Sequence, residues 1–208
     1  MKILISAGPT IEPIDAVRYL SNRSSGKMGR ALCEVACKAG HAVTVVHGPM
    51  ALPADSKAQW IPVETGQEML EALRSRMAQA DVLIMAAAVC DFRPAARHSG
   101  KQDKAGLRQL ELEPTADILA ELTKEKRGKK IVSFSLENDM QAGRPLQKLK
   151  AKSADWCVVN TVASMGADQS DFRIIDADGE DILAPVRISK YALAERLMEL
   201  IGRHWGSP

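Results

Sequence analysis

Residues 18–29 read RYLSNRSSGKMG, and the pattern on either side of them indicates the fold. An apolar run, KILISA, precedes them at residues 2–7, and a helical pattern, RALCEVACKAG, follows at residues 30–40. A strand, a polar loop and a helix start therefore meet here. Small residues stand where the helix should begin, which leaves its unpaired backbone N–H groups open to an anion. We interpret the stretch as a β–α unit that binds a nucleotide phosphate at the helix start.

Ordinary helix capping is an alternative interpretation of the same residues. Ser24 and Ser25 can cap the helix or donate hydrogen bonds to phosphate oxygens, and their positions do not decide between these roles. Two common phosphate motifs are absent. The P-loop needs a glycine at position 21, where a serine stands, and the dinucleotide fingerprint needs GxGxxG directly after the first strand. Only Gly26 and Gly29 are present here, so both interpretations stay open.

The composition is that of an ordinary globular protein. The chain has 208 residues, of which 46% are hydrophobic and 26% charged, and its net charge is +2. Nothing in this balance points to nucleic-acid or membrane binding. The four cysteines lie in apolar runs, without a second Cys or His pair at ligand spacing, so core packing is favoured over metal binding. With no signal peptide and no long apolar run, we expect a cytoplasmic protein with one domain, residues 1–208.

The rest of the chain alternates strand and helix patterns. Further strands are predicted at residues 42–48, 59–63, 81–89, 108–114, 130–137 and 155–161, and a hairpin at residues 172–189. Helices are predicted from residue 65, where Thr65 and Glu68 form a capping box, and at residues 116–126, 144–153 and 190–204. This order predicts an α/β fold with a doubly wound, Rossmann-like, mainly parallel sheet, helices on both faces and a C-terminal β-hairpin. Residues 93–114 break the rhythm and are predicted to form an arm or loop.

Charged and aromatic side chains follow several of the predicted strands. In open α/β sheets, ligands bind at the carboxyl ends of the strands. The candidates at these ends are Asp91, Lys101, Lys104, Asp117, Phe134, Lys148 and Lys152. Lys148 and Lys152 are four residues apart on a predicted helix, where two like charges are unfavourable without an anion between them. This pair indicates either a triphosphate site or a solvated helix face.

Residues 7–29, residues 86–94 (AAAVCDFRP) and the lysine loop beyond them resemble phosphopantothenoylcysteine synthetase, the phosphopantothenate–cysteine ligase of coenzyme A biosynthesis. The resemblance extends over residues 2–178. It implies that CTP activates the carboxylate of 4′-phosphopantothenate as an acyl-CMP, and that the amine of L-cysteine then displaces CMP to form an amide. It also implies Mg²⁺, bound mainly through the nucleotide phosphates, and leaves the metal ligands of the chain unidentified.

The resemblance assigns roles to particular residues. Asn22 and Lys101 are the implied catalytic residues: Asn22 holds the carbonyl of the acyl-nucleotide, and Lys101 stabilises charge during activation. The implied nucleotide-binding residues are Ser24, Ser25, Gly26, Met28, Ala86, Ala87, Asp91, Lys101, Ala116, Asp117, Ile118, Leu119, Phe134, Lys148 and Lys152. The implied substrate-binding residues are Asn22, Arg23 and Ala88. Among these, Phe134 is expected to pack against the base.

The sequence departs from the pattern of this family at several of these positions. The family usually has histidine at Arg23, isoleucine and lysine at Gln102 and Asp103, and proline at Ala116. The resemblance further implies a homodimer, and the alternating residues 108–113 are the expected contact. A phosphopantothenoylcysteine decarboxylase, which many bacteria fuse to this unit, is an expected separate partner.

Two other functions are compatible with a sheet of this kind. An NAD(P)-dependent Rossmann oxidoreductase would explain the glycines, but the sequence lacks the dinucleotide fingerprint and a Tyr–Lys catalytic pair, since its tyrosines are Tyr19 and Tyr191. A non-catalytic nucleotide-binding protein would need a degraded site. The presence of Asn22, Asp91 and Lys101 argues against that alternative.

Overall fold

The computed structural model describes residues 1–54, 56–103 and 109–206. Within them the strands are β1 (Lys2–Ala7), β2 (Ile11–Pro13), β3 (Tyr19–Ser21), β4 (Ala42–His47), β5 (Gln59–Pro62), β6 (Val82–Met85), β7 (Phe92–Pro94), β8 (Leu112–Pro114), β9 (Lys130–Glu137), β10 (Trp156–Thr161), β11 (Gln169–Asp176) and β12 (Asp181–Ser189). The α-helices are α1 (Lys27–Lys38), α2 (Gly66–Met77), α3 (Ile118–Thr123), α4 (Gly143–Ala151) and α5 (Lys190–Trp205), and a 3₁₀ turn covers Val162–Ser164. None of these helices is both long and apolar enough to span a bilayer.

In the described residues, eight strands form one sheet in the order β12-β11-β10-β9-β6-β1-β4-β5. The six strands from β10 to β5 in this order are parallel, and β11 and β12 pair antiparallel at one edge. The order turns back on itself at β1, as the doubly wound prediction requires. The predicted fold class, with its C-terminal β-hairpin, is therefore confirmed.

Both faces of the sheet are covered because side chains alternate along each strand. On β1, Ile3 and Ile5 belong to the cluster that packs against α1 and α5, whereas Leu4 belongs to the cluster on the other face, with α2, α3 and α4. All three side chains are at most 2% exposed. A strand buried on both faces reads as a continuous apolar run, which is why residues 2–7 were recognisable in the sequence.

The prediction was wrong at the ends of several elements. The first helix begins at Lys27, three residues before the predicted start, and β6 ends at Met85 rather than at residue 89. Residues 86–89 are apolar enough to read as strand, but they leave the sheet and bond to the segment after β1: Ala88 N donates to Gly8 O (2.9 Å). In the arm, strand pairing covers only Leu112–Pro114 of the described part, opposite Phe92–Pro94.

The loop between β1 and α1 contains a short hairpin that the sequence did not reveal. Strands β2 and β3 have three residues each and pair antiparallel, which is too short for a periodic signal. The capping box of α2 was predicted correctly. Thr65 Oγ1 accepts from Glu68 N (3.2 Å), and Glu68 Oε2 accepts from Thr65 N (3.4 Å).

Close packing fixes where α1 begins relative to β1. A Cβ on Gly29 would lie 2.4 Å from the Cβ of Ala7, a distance that no relaxed structure allows. Glycine at position 29 therefore lets the first turn of α1 approach the carboxyl end of β1. This contact sets the position of the helix start that the functional site uses.

Candidate functional site

A cleft of about 460 Å³ lies at the carboxyl edge of the sheet, beside the start of α1. The sequence-predicted residues that line it are Asn22, Arg23, Ser24, Ser25, Gly26, Met28, Ala86, Ala87, Ala88, Asp91 and Phe134. They come from the loop before α1 and its first turn, the segment after β6, and β9. The structure thus brings together most of the predicted site at the edge where ligands bind in open α/β sheets.

The start of α1 has the geometry of an anion site. Gly26 is its N-cap residue, with φ of 70°, and no side chain caps the helix. Ser24 Oγ accepts only a long hydrogen bond from Gly26 N (3.4 Å), and the first turn carries no acidic residue. Capping by the serines, the alternative left open above, is therefore wrong for this helix. The first turn of α1 keeps its N–H groups and its positive dipole end directed at the cleft.

Asn22 links the two loops that form the floor of the cleft. Its Nδ2 donates to the carbonyl oxygens of Val89 (2.8 Å) and Ala88 (3.3 Å). In this arrangement the amide hydrogens are already used by the protein. Donation to a ligand carbonyl, the role that the resemblance implies, therefore requires one of these bonds to exchange.

The segment after β6 gives the cleft a smooth wall. Ala86, Ala87 and Ala88 have no side chain beyond Cβ, and Ala87 N donates to Ser6 Oγ (3.2 Å) on β1. Asp91 follows them with an exposed carboxylate, and its backbone oxygen accepts from Thr115 N (3.0 Å). A ligand can therefore lie flat against the alanines with one carboxylate at the end of the wall.

Strand β9 separates the predicted nucleotide residues into two groups. Phe134 and Leu136 line the cleft, whereas the alternate residues Ser135 and Glu137 face α4. Glu137 is 7% exposed, and its Oε1 accepts from Ser135 Oγ (2.6 Å) and from Lys148 Nζ (2.8 Å). Burial alone would raise the pKa of Glu137, but these two hydrogen bonds hold it below its usual value. Lys148 is therefore ion-paired on the α4 side of β9.

A second ion pair holds the other predicted lysine. Lys152 Nζ lies 2.8 Å from Asp117 Oδ2, and Asp117 also caps α3 by accepting from Ala120 N (3.1 Å). Burial acts to raise the pKa of Asp117, but the hydrogen bond from Lys152 outweighs it and lowers the pKa. Ile118 and Leu119 are buried in the core behind this cap. The unfavourable pair of like charges seen in the sequence is thus relieved by carboxylates, one for each lysine.

Several predicted nucleotide-binding residues lie outside the lining of the cleft. The predicted nucleotide residues that do not line it are Lys101, Ala116, Asp117, Ile118, Leu119, Lys148 and Lys152. If one nucleotide binds both the cleft residues and these residues, Lys148 and Lys152 must each exchange a carboxylate for a phosphate. Lys104 and Arg108 lie outside the described residues.

Lys101 lies beside a buried carboxylate that anchors its loop. Gln102 N donates to Asp15 Oδ2 (3.1 Å), and Arg18 Nη2 donates to Gln102 O (2.6 Å). Asp15 Oδ1 also accepts from the backbone N–H groups of Val17 and Arg18, both at 2.8 Å. The Arg18 guanidinium holds the pKa of Asp15 well below its usual range. The loop that carries Lys101 is therefore attached to the β2–β3 hairpin next to the lysine itself.

The wall opposite the start of α1 was not predicted from the sequence. Its residues are Leu136, Asn160, Ser164, Met165, Gly166 and Lys190, which line the same cleft. Asn160 stands near the end of a buried strand, so the rule that located Asp91 could also have found it. The position of Lys190, the first residue of α5, depends on backbone carbonyls more than 20 residues away and has no local signal.

The cleft contains few groups that could ligate a metal. No three His, Cys, Asp or Glu side chains come together to hold an ion in residues 1–54, 56–103 or 109–206. Asp91 is the predicted carboxylate that lines the cleft, whereas Asp117 and Glu137 each bind a lysine. A hard cation such as Mg²⁺ prefers oxygen ligands, and the carboxylate of Asp91 is one that the cleft offers.

Comparison with known proteins gives one family. The family model for the C-terminal domain of the DNA/pantothenate metabolism flavoprotein matches residues 1–204. The bifunctional coenzyme A biosynthesis protein CoaBC of Bacillus subtilis (strain 168) is 37% identical over 206 residues, which cover 96% of this chain and 50% of that protein. A crystal structure of the C-terminal domain of a CoaBC protein superposes with a TM-score of 0.83 at 36% identity, covering 97% of this chain and 94% of that one.

A further relative carries a different name. A cysteine/cysteine sulfinic acid decarboxylase from an unknown prokaryotic organism is 43% identical over 170 residues, which cover 80% of this chain and 47% of that protein. The chain thus spans about half the length of the curated relatives it matches.

Proposed function

Because this chain belongs to the family of the DNA/pantothenate metabolism flavoprotein C-terminal domain, we propose that it is a phosphopantothenate–cysteine ligase of coenzyme A biosynthesis. Its substrates are 4′-phosphopantothenate, L-cysteine and a nucleoside triphosphate, and residues 1–208 act as one domain. The observation that carries the proposal is the match along almost the whole chain to the C-terminal domain of CoaBC, at 36% identity. The cleft supports it, because Asn22, the start of α1 and Asp91 all line one cavity.

The reaction joins two molecules through an activated carboxylate. In the first step, a carboxylate oxygen of phosphopantothenate attacks the α-phosphorus of the nucleotide, and pyrophosphate leaves with the electrons of the broken P–O bond. In the second step, the cysteine nitrogen attacks the acyl carbon, the nucleoside monophosphate leaves, and the nitrogen loses a proton. The anhydride is reactive, so the protein mainly orients the two partners and excludes water.

The residues of this chain supply charge and position for these steps. The N–H groups at the start of α1, which line the cleft, are assigned to a phosphate, and Ser24, Ser25 and Met28 to the turn above it. Lys101 is assigned to the negative charge that develops on the transferred phosphate, and Asn22 to the carbonyl of the intermediate. Mg²⁺, when bound with the nucleotide, neutralises part of the phosphate charge.

We propose CTP as the nucleotide. The bacterial members of the family that the sequence resembles use CTP, and the backbone of residues 116–119 is the proposed recognition site for the pyrimidine. Phe134 lies on the cleft side of β9, where it offers an aromatic face to the base. Lys148 and Lys152 are assigned to the phosphate tail, to which they would move from Glu137 and Asp117.

We also propose a homodimer that uses the two short hairpins. Large apolar side chains are exposed on them: Val17 (61%), Tyr19 (56%), Phe92 (53%), Leu110 (37%) and Leu112 (45%). Strands β2 and β7 of these hairpins contact each other, so the side chains belong to one region of the surface. Exposed apolar patches of this kind mark protein interfaces. The expected partner enzyme is a phosphopantothenoylcysteine decarboxylase, which would consume the product.

The proposal is tested by measuring pyrophosphate release with 4′-phosphopantothenate, L-cysteine and each of the four nucleoside triphosphates. We expect release with CTP above the other three, and mass spectrometry should show an amide product that requires cysteine. Faster turnover with ATP would reject the choice of CTP but keep the ligase. Absence of the amide product with every nucleotide would reject the ligase itself. Fluorescence titration with NADPH tests the oxidoreductase alternative in the same preparation.

A further inference from the structure

Lys190 makes an unusual set of contacts at the cleft. It is the first residue of α5, after Ser189, whose side chain caps the helix by accepting from Ala192 N (3.0 Å). The ammonium of Lys190 donates to the backbone oxygens of Ser164 (2.9 Å) and Ala167, and its backbone N–H donates to Asp168 O (3.3 Å). One residue therefore binds the loop after β10 at three points.

The loop that Lys190 binds forms the wall of the cleft opposite α1. Ser164, Met165 and Gly166 line the cavity, and Met165 is 46% exposed there. Gly166 has φ of 74°, which lets the chain turn back toward α5. Asn160 Nδ2 donates to Ser164 Oγ (2.6 Å), so the start of the loop is also held from β10. A change in the Lys190 contacts would move this wall.

Charge adds a second observation. The groups that bind the ammonium of Lys190 are neutral carbonyls, and the described residues place no carboxylate within ion-pair distance of it. The carboxylate of Asp168 instead pairs with the ammonium of Lys27 (2.9 Å), and Lys27 is the first residue of α1. Burial, followed by the charge of Lys27, lowers the pKa of Lys190. One carboxylate, that of Asp168, is thus set against the charges of Lys27 and Lys190 and the positive end of α1, a balance that favours a further anion there.

We propose that Lys190 is a positioning residue for the nucleotide. It fixes the loop from Ser164 to Asp168, the part of the wall that holds the phosphates against the start of α1. The inference rests on the proposed function, because it takes the nucleotide as the ligand of this cleft. Lys190 acts through the loop, and Met165 is the side chain that the loop presents to the ligand.

The test compares Lys190→Met with Lys190→Arg and with the matched control Lys38→Met. Lys38 donates to Glu34 and to the hydroxyl of Tyr191, the residue after Lys190. Neither Lys38 nor Tyr191 lines the cleft. We expect Lys190→Met to raise the KM for nucleotide about tenfold, because the loop loses the charge-assisted hydrogen bonds that hold it, with the KM for cysteine within about twofold of wild type. Lys190→Arg should recover part of the loss, and Lys38→Met should show none.

Hydrogen exchange at residues 165–167 gives a readout without turnover. In Lys190→Met these amides should exchange faster than in wild type, and CTP alone should protect them less. An unchanged KM for nucleotide, or an equal loss for all three substrates together with a lower unfolding temperature, would overturn the proposal. If Lys190→Met does not fold, Met165→Ala replaces it, and an unchanged KM for nucleotide in that variant has the same meaning.

The two proposals fail in different ways. Absence of amide product from wild type with every nucleotide rejects the ligase. The role of Lys190 can then still be tested by comparing the affinities of wild type and Lys190→Met for CTP in calorimetry. Normal turnover by Lys190→Met keeps the ligase and rejects the role of Lys190.

Discussion

Lys148 and Glu137 form an ion pair (2.8 Å) on the face of β9 opposite the one that Phe134 occupies. The carboxylate is 7% exposed, while the Lys148 side chain is 41% exposed. Arg144 is a weaker second partner, with Nη1 at 3.7 Å from Glu137 Oε2. A lysine assigned to phosphate is thus the main counter-ion of a buried carboxylate.

Replacing Lys148 should therefore affect both nucleotide binding and stability. Lys148→Ala should raise the KM for CTP and lower the free energy of unfolding by about 1–2 kcal/mol, less than for a fully buried pair because the lysine is partly exposed. Since the folded pKa of Glu137 is lowered, its stabilisation is present above the unfolded value of 4.5 and is lost as the pH falls through the folded pKa. The stability difference between wild type and Lys148→Ala should accordingly shrink below about pH 4.5 in urea titrations.

Glu137→Gln separates the two roles of the lysine. The glutamine keeps the hydrogen-bond acceptor but releases the charge of Lys148 for a phosphate. We expect the KM for CTP to stay the same or fall. Unchanged KM values for CTP in both Lys148→Ala and Glu137→Gln would mean that the ion pair of Lys148 is purely structural.

Asp15→Asn tests the anchor of the Lys101 loop. The substitution weakens the bonds to Arg18 and Gln102, so Lys101 should be less well placed and pyrophosphate release should slow several-fold. Asp103→Asn, an exposed change in the same loop, is the control and should have no such effect. Equal rates in both variants would show that the anchor does not position Lys101.

The same variant has a predictable pH dependence. The folded pKa of Asp15 is lowered, so its stabilisation is present above the unfolded value of 3.8 and is lost at lower pH. Asp15→Asn should unfold at a lower temperature than wild type at pH 7. The two unfolding temperatures should converge as the pH falls below 3.8.

Asn22→Asp should impair the amide-forming step more than activation. The carboxylate would face the carbonyl oxygens of Ala88 and Val89, which now accept from the amide, and would repel an electron-rich ligand carbonyl. Acyl-CMP should accumulate in quenched single-turnover mixtures and be detected by mass spectrometry. Lys101→Gln is the comparison, since it should slow pyrophosphate release without accumulation. Equal slowing of both steps in Asn22→Asp would mean that Asn22 only holds the loop.

Leu112→Glu should weaken the proposed dimer. It places a charge among the exposed apolar side chains of the two hairpins, where burial of an unpaired carboxylate is costly. Light scattering at micromolar concentration should give a dimer mass for wild type and a monomer mass for the variant. Leu52→Glu changes a leucine of similar exposure, 47%, elsewhere on the surface and should leave the mass unchanged. A monomeric wild type would reject the dimer.

The sequence predicted the parts of the structure that local patterns determine. Residues 2–7 and 130–137 became β1 and β9 with the predicted bounds, because continuous apolar runs between turn signals are typical of strands buried on both faces. The start of α1 was located to within three residues by its small residues. The end of β6 was not, because residues 86–89 are as apolar as the strand and leave the sheet only to pair with the segment after β1.

Apart from Phe134, the lining of the cleft was predicted on one side only. Asn22, Gly26 and Asp91 stand in segments whose composition already marks a loop at a strand end. The opposite wall depends on tertiary contacts: Lys190 looks like any lysine in the first turn of an amphipathic helix until α5 packs beside the loop after β10. The pairing of Lys148 with Glu137 was invisible for the same reason, since it depends on how α4 lies against β9.

The order of the sheet couples the two ends of the chain through the cleft. One wall belongs to the segments around β1 and β6, and the other to β9 and β10, which lie across the β6–β9 pairing, and to α5, which packs against α1. A nucleotide that contacts both walls stabilises the folded state across this boundary. At a free concentration one hundred times its Kd, it raises the free energy of unfolding by about 2.7 kcal/mol. Separation of the N-terminal and C-terminal halves would then depend on nucleotide concentration, so that the resistance of the whole chain to proteolysis would report how much nucleotide is present.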